Sequence, residues 1–170
     1  RFVLGMGRTL PILMKAWGLP VSTNQLLIDG LQILRQLWAG ERVKYDGPLG
    51  TFPHLQISDL PDVAPPPVLL AAIGPISLDL AGGHYDGVIL HPFLSLDAQQ
   101  QSVDIARAGA EREGRDPDAL RIVATVVSAP DLSPEEIDIR VRARLITYLN
   151  APGLGEALVK ANGWDPGVID

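Results

Sequence analysis

Apolar residues recur along this chain with two different spacings. Leu26, Leu27, Gly30, Leu31, Leu34, Leu37 and Trp38 fall on one face of a 3.6-residue repeat, and this spacing predicts an amphipathic helix over residues 23–37. Ser22 or Thr23 caps its start, and Gly40 ends it at the left-handed position that glycine favours. Residues 2–5, 68–72, 87–91 and 121–128 are instead short, predominantly apolar runs. They read as strands buried on both faces rather than as half-exposed strands that alternate apolar and polar.

Helical patterns separate these runs. Residues 76–81 form a short helix that closes on Gly82-Gly83. A second helix runs from a cap at Asp97 to about Glu113 and stops at Gly114. Residues 117–120 make about one helical turn. Ser133-Pro134-Glu135-Glu136 has the form of a capping box with proline at the first helical position, opening a helix that reaches about Tyr148. Residues 10–18 are a loop or short helix. Residues 42–45 start a small hairpin that turns at Asp46-Gly47-Pro48 and returns through residues 55–57, an excursion near 42–60. The prolines of residues 61–67 enforce an extended lead-in to the next strand.

The alternation of buried strands with helices defines a parallel α/β protein. An open doubly wound sheet and part of a barrel both satisfy it. A (β/α)8 barrel needs about 250 residues, so 170 residues supply about half of one. The first residue is Arg1, and residues 2–5 already read as strand. The expectation is therefore a single partial domain cut from a longer protein, with Phe2, Val3 and Leu4 lacking a neighbour strand on one side.

Composition narrows the chemistry. The formal net charge is −6, which argues against a nucleic-acid surface, since that requires a clustered basic face. The chain has no cysteine, so disulfides and thiolate metal sites are excluded while the compartment stays open. No apolar run approaches the roughly 20 residues of a membrane helix. His54, His84 and His91 show no metal-ligand spacing, and no metal site is expected.

In a parallel α/β fold the ligand sits at the carboxyl ends of the strands. The candidates there are Gly5, Met6 and Gly7; Ala72, Ile73 and Gly74 before Pro75; and His91 and Phe93. Gly82 and Gly83 follow one element later. Small residues let backbone N–H groups approach a phosphate or a flat ring. Gly5-Met6-Gly7 is equally a tight turn, because no third glycine completes a dinucleotide fingerprint. Ala72-Ile73-Gly74-Pro75 is either an anion seat before a helix N-terminus or a close strand–helix contact. Gly82-Gly83 can be a plain helix end. His91 is either a proton donor at a strand end or a structural hydrogen-bonder.

Taken in order, Arg1-Phe2-Val3-Leu4-Gly5-Met6-Gly7, Leu34-Arg35-Gln36-Leu37-Trp38-Ala39-Gly40-Glu41, Tyr45-Asp46-Gly47-Pro48, Ala71-Ala72-Ile73-Gly74-Pro75, Leu80-Ala81-Gly82-Gly83, Asp86-Gly87-Val88-Ile89-Leu90 and Gly114-Arg115-Asp116-Pro117 resemble the luciferase-like monooxygenase family, and within it the branch that uses the deazaflavin coenzyme F420. The resemblance implies a (β/α)8 TIM-barrel fold of which this chain holds about half, from the fourth strand onward. It implies that Gly5, Met6 and Gly7 contact the cofactor ring or its side chain, that Ala72, Ile73 and Gly74 contact its phosphate and side chain, and that His91 and Phe93 face the substrate. Gly82 and Gly83 occupy a position where the family often has Gly-Arg or Gly-Glu, so Gly83 departs from it. Sugar-phosphate dehydrogenases of the family carry a catalytic glutamate after the first glycines, whereas Arg8-Thr9-Leu10 holds none. The implied activity is hydride transfer between reduced F420 and a small organic substrate, in a cytoplasmic homodimer. The alternatives are an FMN-dependent monooxygenase using oxygen, and an inactive truncated barrel that acts only through a partner.

Overall fold

The computed structural model describes residues 2–169, with the side chains of Val168 and Ile169 left aside. Arg1, which opens the first motif, lies outside the described residues. The chain divides into two compact units, residues 1–69 and 70–170.

The first unit opens with strand β1 (Leu4–Met6), followed by helix α1 (Pro11–Ala16) and helix α2 (Asn24–Trp38). Thr23 caps α2 by accepting from the Leu26 N–H at 3.2 Å. Gly40, at φ +77°, lies just beyond the helix end. Leu27, Leu31 and Leu37 are buried, as the periodicity predicts, and so is Ile33, which lies off the predicted face. The reason is a second contact. Strands β2 (Val43–Gly47) and β3 (Gly50–Leu55) form an antiparallel hairpin. Its Val43, Tyr45, Leu49 and Leu55 pack on Ile33 and Leu37. The Tyr45 hydroxyl donates to Asp29 of α2 at 2.6 Å. Burial and that carboxylate raise the tyrosine's pKa. The hairpin returns earlier than the sequence suggests, because Pro48 and Leu49 form a two-residue turn and Gly50 takes φ +114°. In the same unit, the Leu4 N–H donates to the Pro67 carbonyl at 3.0 Å, which sets β1 beside the start of strand β4 (Val68–Ala72).

The second unit carries β4 onward into helix α3 (Pro75–His84), strand β5 (Gly87–Leu90), helix α4 (Leu96–Arg112), strand β6 (Arg121–Ala124), helix α5 (Pro134–Leu149) and helix α6 (Leu154–Asn162). β4, β5 and β6 lie side by side in that order. β5 and β6 pair in parallel, with Val88 opposite Ile122 and Leu90 opposite Ala124. Leu70, Leu78, Tyr85, Val88, Leu90 and Leu158 are almost wholly buried, each contributing about 2 kcal/mol of apolar transfer energy.

Three expectations change. β6 ends at Ala124 rather than Ser128, and Val126 is 77% exposed. β-branched residues favour extension, but β5 ends at Leu90, so residues beyond Ala124 find no backbone to pair with. α4 is capped by Ser95, whose hydroxyl accepts from the Ala98 N–H; Asp97 sits in the first turn, where a carboxylate favours the helix dipole. α3 does not close on Gly82-Gly83 but continues to His84. The sequence pattern sets no start for α6, which the structure runs from Leu154 to Asn162.

Candidate functional site

Ala72, Ile73 and Gly74 carry β4 into α3. Ala72 is buried and Ile73 half-buried, so Ala72 can meet a ligand only through its backbone. Gly74 is the N-cap of α3, with φ −79° and ψ 155°, angles that any residue adopts. A Cβ built on it meets nothing within 4 Å. Neither conformation nor packing inside the described chain therefore requires glycine here. Pro75 has no N–H, and Ser77 and Leu78 donate back to the Gly74 carbonyl, which leaves the Ile76 amide at the helix's open end. An open groove of about 380 Å³ adjoins this turn, lined by Ile73, Gly74 and Pro75 on one side and by Gln101 of α4 and Lys160 of α6 on others. Small backbone-exposing residues, a helix N-terminus and a nearby cation fit an anionic group.

Gly82 and Gly83 lie elsewhere. Both are buried within the last turns of α3. A Cβ on Gly82 would stand 1.8 Å from the Ala106 carbonyl oxygen, and one on Gly83 would stand 3.0 Å from the Glu113 side chain. These glycines let α3 and α4 approach, helped by Gly109 of α4, whose Cβ would stand 2.4 Å from the Asp79 carbonyl oxygen. They precede β5 and so belong to the amino end of that strand, away from the strand ends where ligands bind. In the structure their visible role is this contact between α3 and α4. Met6 is half-buried, while Gly5 and Gly7 are exposed, all three in the first unit.

His91 follows β5 directly. Its Nδ1 accepts from the Phe93 N–H at 3.3 Å, so in the neutral ring Nε2 carries the proton and is the donor. Partial burial lowers its pKa, which favours that neutral form. Phe93 stands 5.8 Å from the imidazole, ring centre to ring centre. Tyr148, near the end of α5, packs edge-on against both, at 5.0 Å from His91 and 5.3 Å from Phe93. The Arg144 guanidinium lies over the Tyr148 ring at 5.6 Å. Sequence reading missed Tyr148, Arg144 and Lys160 as site residues. No local signal marks them, since they reach the site from helices more than 50 positions further along. Among the described residues no group of His, Asp or Glu is arranged to hold a metal ion.

Comparison with known proteins gives the fold and site a family. Residues 1–163 match the family model described as luciferase-like monooxygenase, and the chain belongs to that family. A stretch of 100 residues is 38% identical to an F420-dependent hydroxymycolic acid dehydrogenase of Mycobacterium tuberculosis, covering 55% of this chain and 25% of that protein. A stretch of 110 residues is 33% identical to an F420-dependent glucose-6-phosphate dehydrogenase of Tsukamurella paurometabola, covering 64% of this chain and 32% of that one. Among solved structures, the coenzyme F420-dependent tetrahydromethanopterin reductase of Methanopyrus kandleri superposes with a TM-score of 0.77 at 19% identity, over 97% of this chain and 51% of that one. The fold is the TIM-barrel type of these enzymes, and the chain spans about half of its length.

Proposed function

We propose that the protein to which this chain belongs is an F420-dependent oxidoreductase that moves a hydride between the deazaflavin and a small organic substrate. One observation carries the reading. Gly74 stands at a strand's carboxyl end and a helix's N-terminus with open space where its side chain would be, so the glycine makes room for a group from outside the chain. Relatives that are F420-dependent by name support the choice of that group. The Ile73-Gly74 backbone and the open end of α3 would hold its phosphate or side chain, with Lys160 near enough to add charge. The coenzyme, when bound, supplies the hydride chemistry. His91 manages the proton: neutral, with Nε2–H free to donate, it stands beside Phe93 on the substrate side. Gly5, Met6 and Gly7 are read as further contacts with the coenzyme.

The test uses the full-length protein. F420 binding is followed by quenching of the deazaflavin fluorescence, and turnover by its absorbance on a panel of alcohols and carbonyl compounds. Gly74→Glu is expected to abolish binding, because it places bulk and a like charge in the phosphate seat. His91→Ala is expected to bind F420 normally and turn over ~10²-fold more slowly, the usual contribution of a general acid. Unchanged F420 affinity in Gly74→Glu removes the cofactor site, and full turnover in His91→Ala leaves that residue a structural role only.

A further inference from the structure

Asn162 ends α6, 67 residues beyond Ser95, yet it is bonded to the loop that follows β5. Its Nδ2 donates to the Phe93 carbonyl at 2.9 Å and to the Leu158 carbonyl of its own helix at 2.9 Å. Its Oδ1 accepts from the Ser95 N–H at 2.7 Å. Both amide protons are used. The Leu158 bond fixes the side chain on α6. The other two grip the loop on either side of Leu94, which is buried, as a partner strand would.

The consequence reaches the imidazole. The loop has four anchors, one of them the Gln99 side-chain amide, which donates to the Leu94 carbonyl at 3.0 Å. Ser95 caps α4, Leu94 is buried, and Asn162 holds the Phe93 carbonyl and the Ser95 amide. The Phe93 N–H in turn is the donor to His91 Nδ1, and the Phe93 ring completes the His91–Tyr148 cluster. No residue other than asparagine does the same. Aspartate keeps the acceptor and loses both donors, leucine keeps the volume and loses all three bonds, and glutamine carries the amide one methylene too far.

We propose that Asn162 is a positioning residue that holds the 93–95 segment so that His91 presents its Nε2–H, and Phe93 its ring, to the substrate. This rests on the reading of His91 as the proton donor. The other titratable group packed on the imidazole is Tyr148 of α5, with Arg144 beyond it, and Asn162 makes no hydrogen bond to either in the structure.

The experiment compares Asn162→Asp, Asn162→Leu, His91→Ala and the Asn162→Asp/His91→Ala double variant in the full-length protein, with three readouts. These are F420 affinity, the kcat and KM of F420-linked turnover, and the nitrogen chemical shifts of His91 in selectively labelled protein. Asn162→Asp should keep F420 affinity, lose roughly tenfold or more in kcat, and show His91 exchanging between its two neutral tautomers. The double variant should turn over no more slowly than His91→Ala alone, since residues acting through one group are not additive. Asn162→Leu should reproduce the loss with a lower melting temperature. A wild-type His91 spectrum in a folded Asn162→Asp protein overturns the proposal, as does a double variant whose losses multiply. If His91→Ala retains full turnover, the proton-donor reading falls by itself, and the imidazole spectrum alone then decides whether Asn162 positions the loop.

Discussion

At the scale of single residues, four glycines of similar appearance in the sequence do different physical work. Gly82 and Gly109 are demanded by neighbours, since a Cβ on either would overlap the backbone of the facing helix. Gly40 sits at φ +77°, where it supplies a helix end. Gly74 is demanded by nothing inside the described chain. The pair Gly74→Ala and Gly82→Ala therefore separates ligand approach from packing. Gly82→Ala should cost about 3 kcal/mol in denaturant unfolding, or prevent folding, because the overlap is with backbone that cannot rotate away. Gly74→Ala should change stability by less than about 1 kcal/mol, a weaker N-cap being offset by a less flexible unfolded chain, while lowering F420 affinity. Equal stabilities for the two variants would refute this division.

At the scale of elements, the helices are specified locally at their starts and globally at their faces. α5 shows the first half. Ser133 accepts from the Glu136 N–H, and the Glu136 carboxylate accepts from the Ser133 N–H at 2.9 Å. The Ser133 amide and hydroxyl hold the Glu136 carboxyl below its ordinary pKa of 4.5. The carboxylate's contribution to the cap is thus fully present above that value and is lost as the pH falls through the lowered one, while the Ser133 hydroxyl keeps its bond to the Glu136 N–H. Ser133→Ala should weaken the first turn of α5 by about 1 kcal/mol, seen as faster amide exchange at Glu136 and Ile137, with F420 affinity unchanged. α2 shows the second half. Its period marks Leu27, Leu31 and Leu37, but Ile33 is buried only because the hairpin returns over it.

At the scale of the whole molecule, large apolar side chains lie uncovered. α1 buries no residue, and Ile12 and Trp17 on and beside it are 60% and 61% exposed. On α5, Ile139 and Ile146 are exposed as well. Scattered apolar residues are normal on a surface, but apolar helices without cover mark association. The 170-residue chain expressed by itself should therefore self-associate in sedimentation velocity and bind a hydrophobic dye, whereas the full-length protein should not bind the dye comparably. A monodisperse, dye-free monomer with cooperative unfolding would show that the exposed side chains are tolerated. No helix among the described residues is long and apolar enough to cross a membrane.

The sequence by itself determined what depends on neighbours a few positions apart. Unbroken apolar runs placed β4 and β5, the 3.6-residue period and Thr23 placed α2, the Ser133 capping box placed the start of α5, and the ordered motifs pointed to the family. Tertiary structure decided what depends on residues far apart. β6 stops where β5 stops, because a strand lasts only as long as its partner. Gly82-Gly83 belongs to a helix contact because Ala106 and Glu113 lie across from it. Tyr148 and Asn162 join His91 and Phe93 although 55 or more positions separate them, and no periodicity along a chain encodes a hydrogen bond or ring contact across that distance.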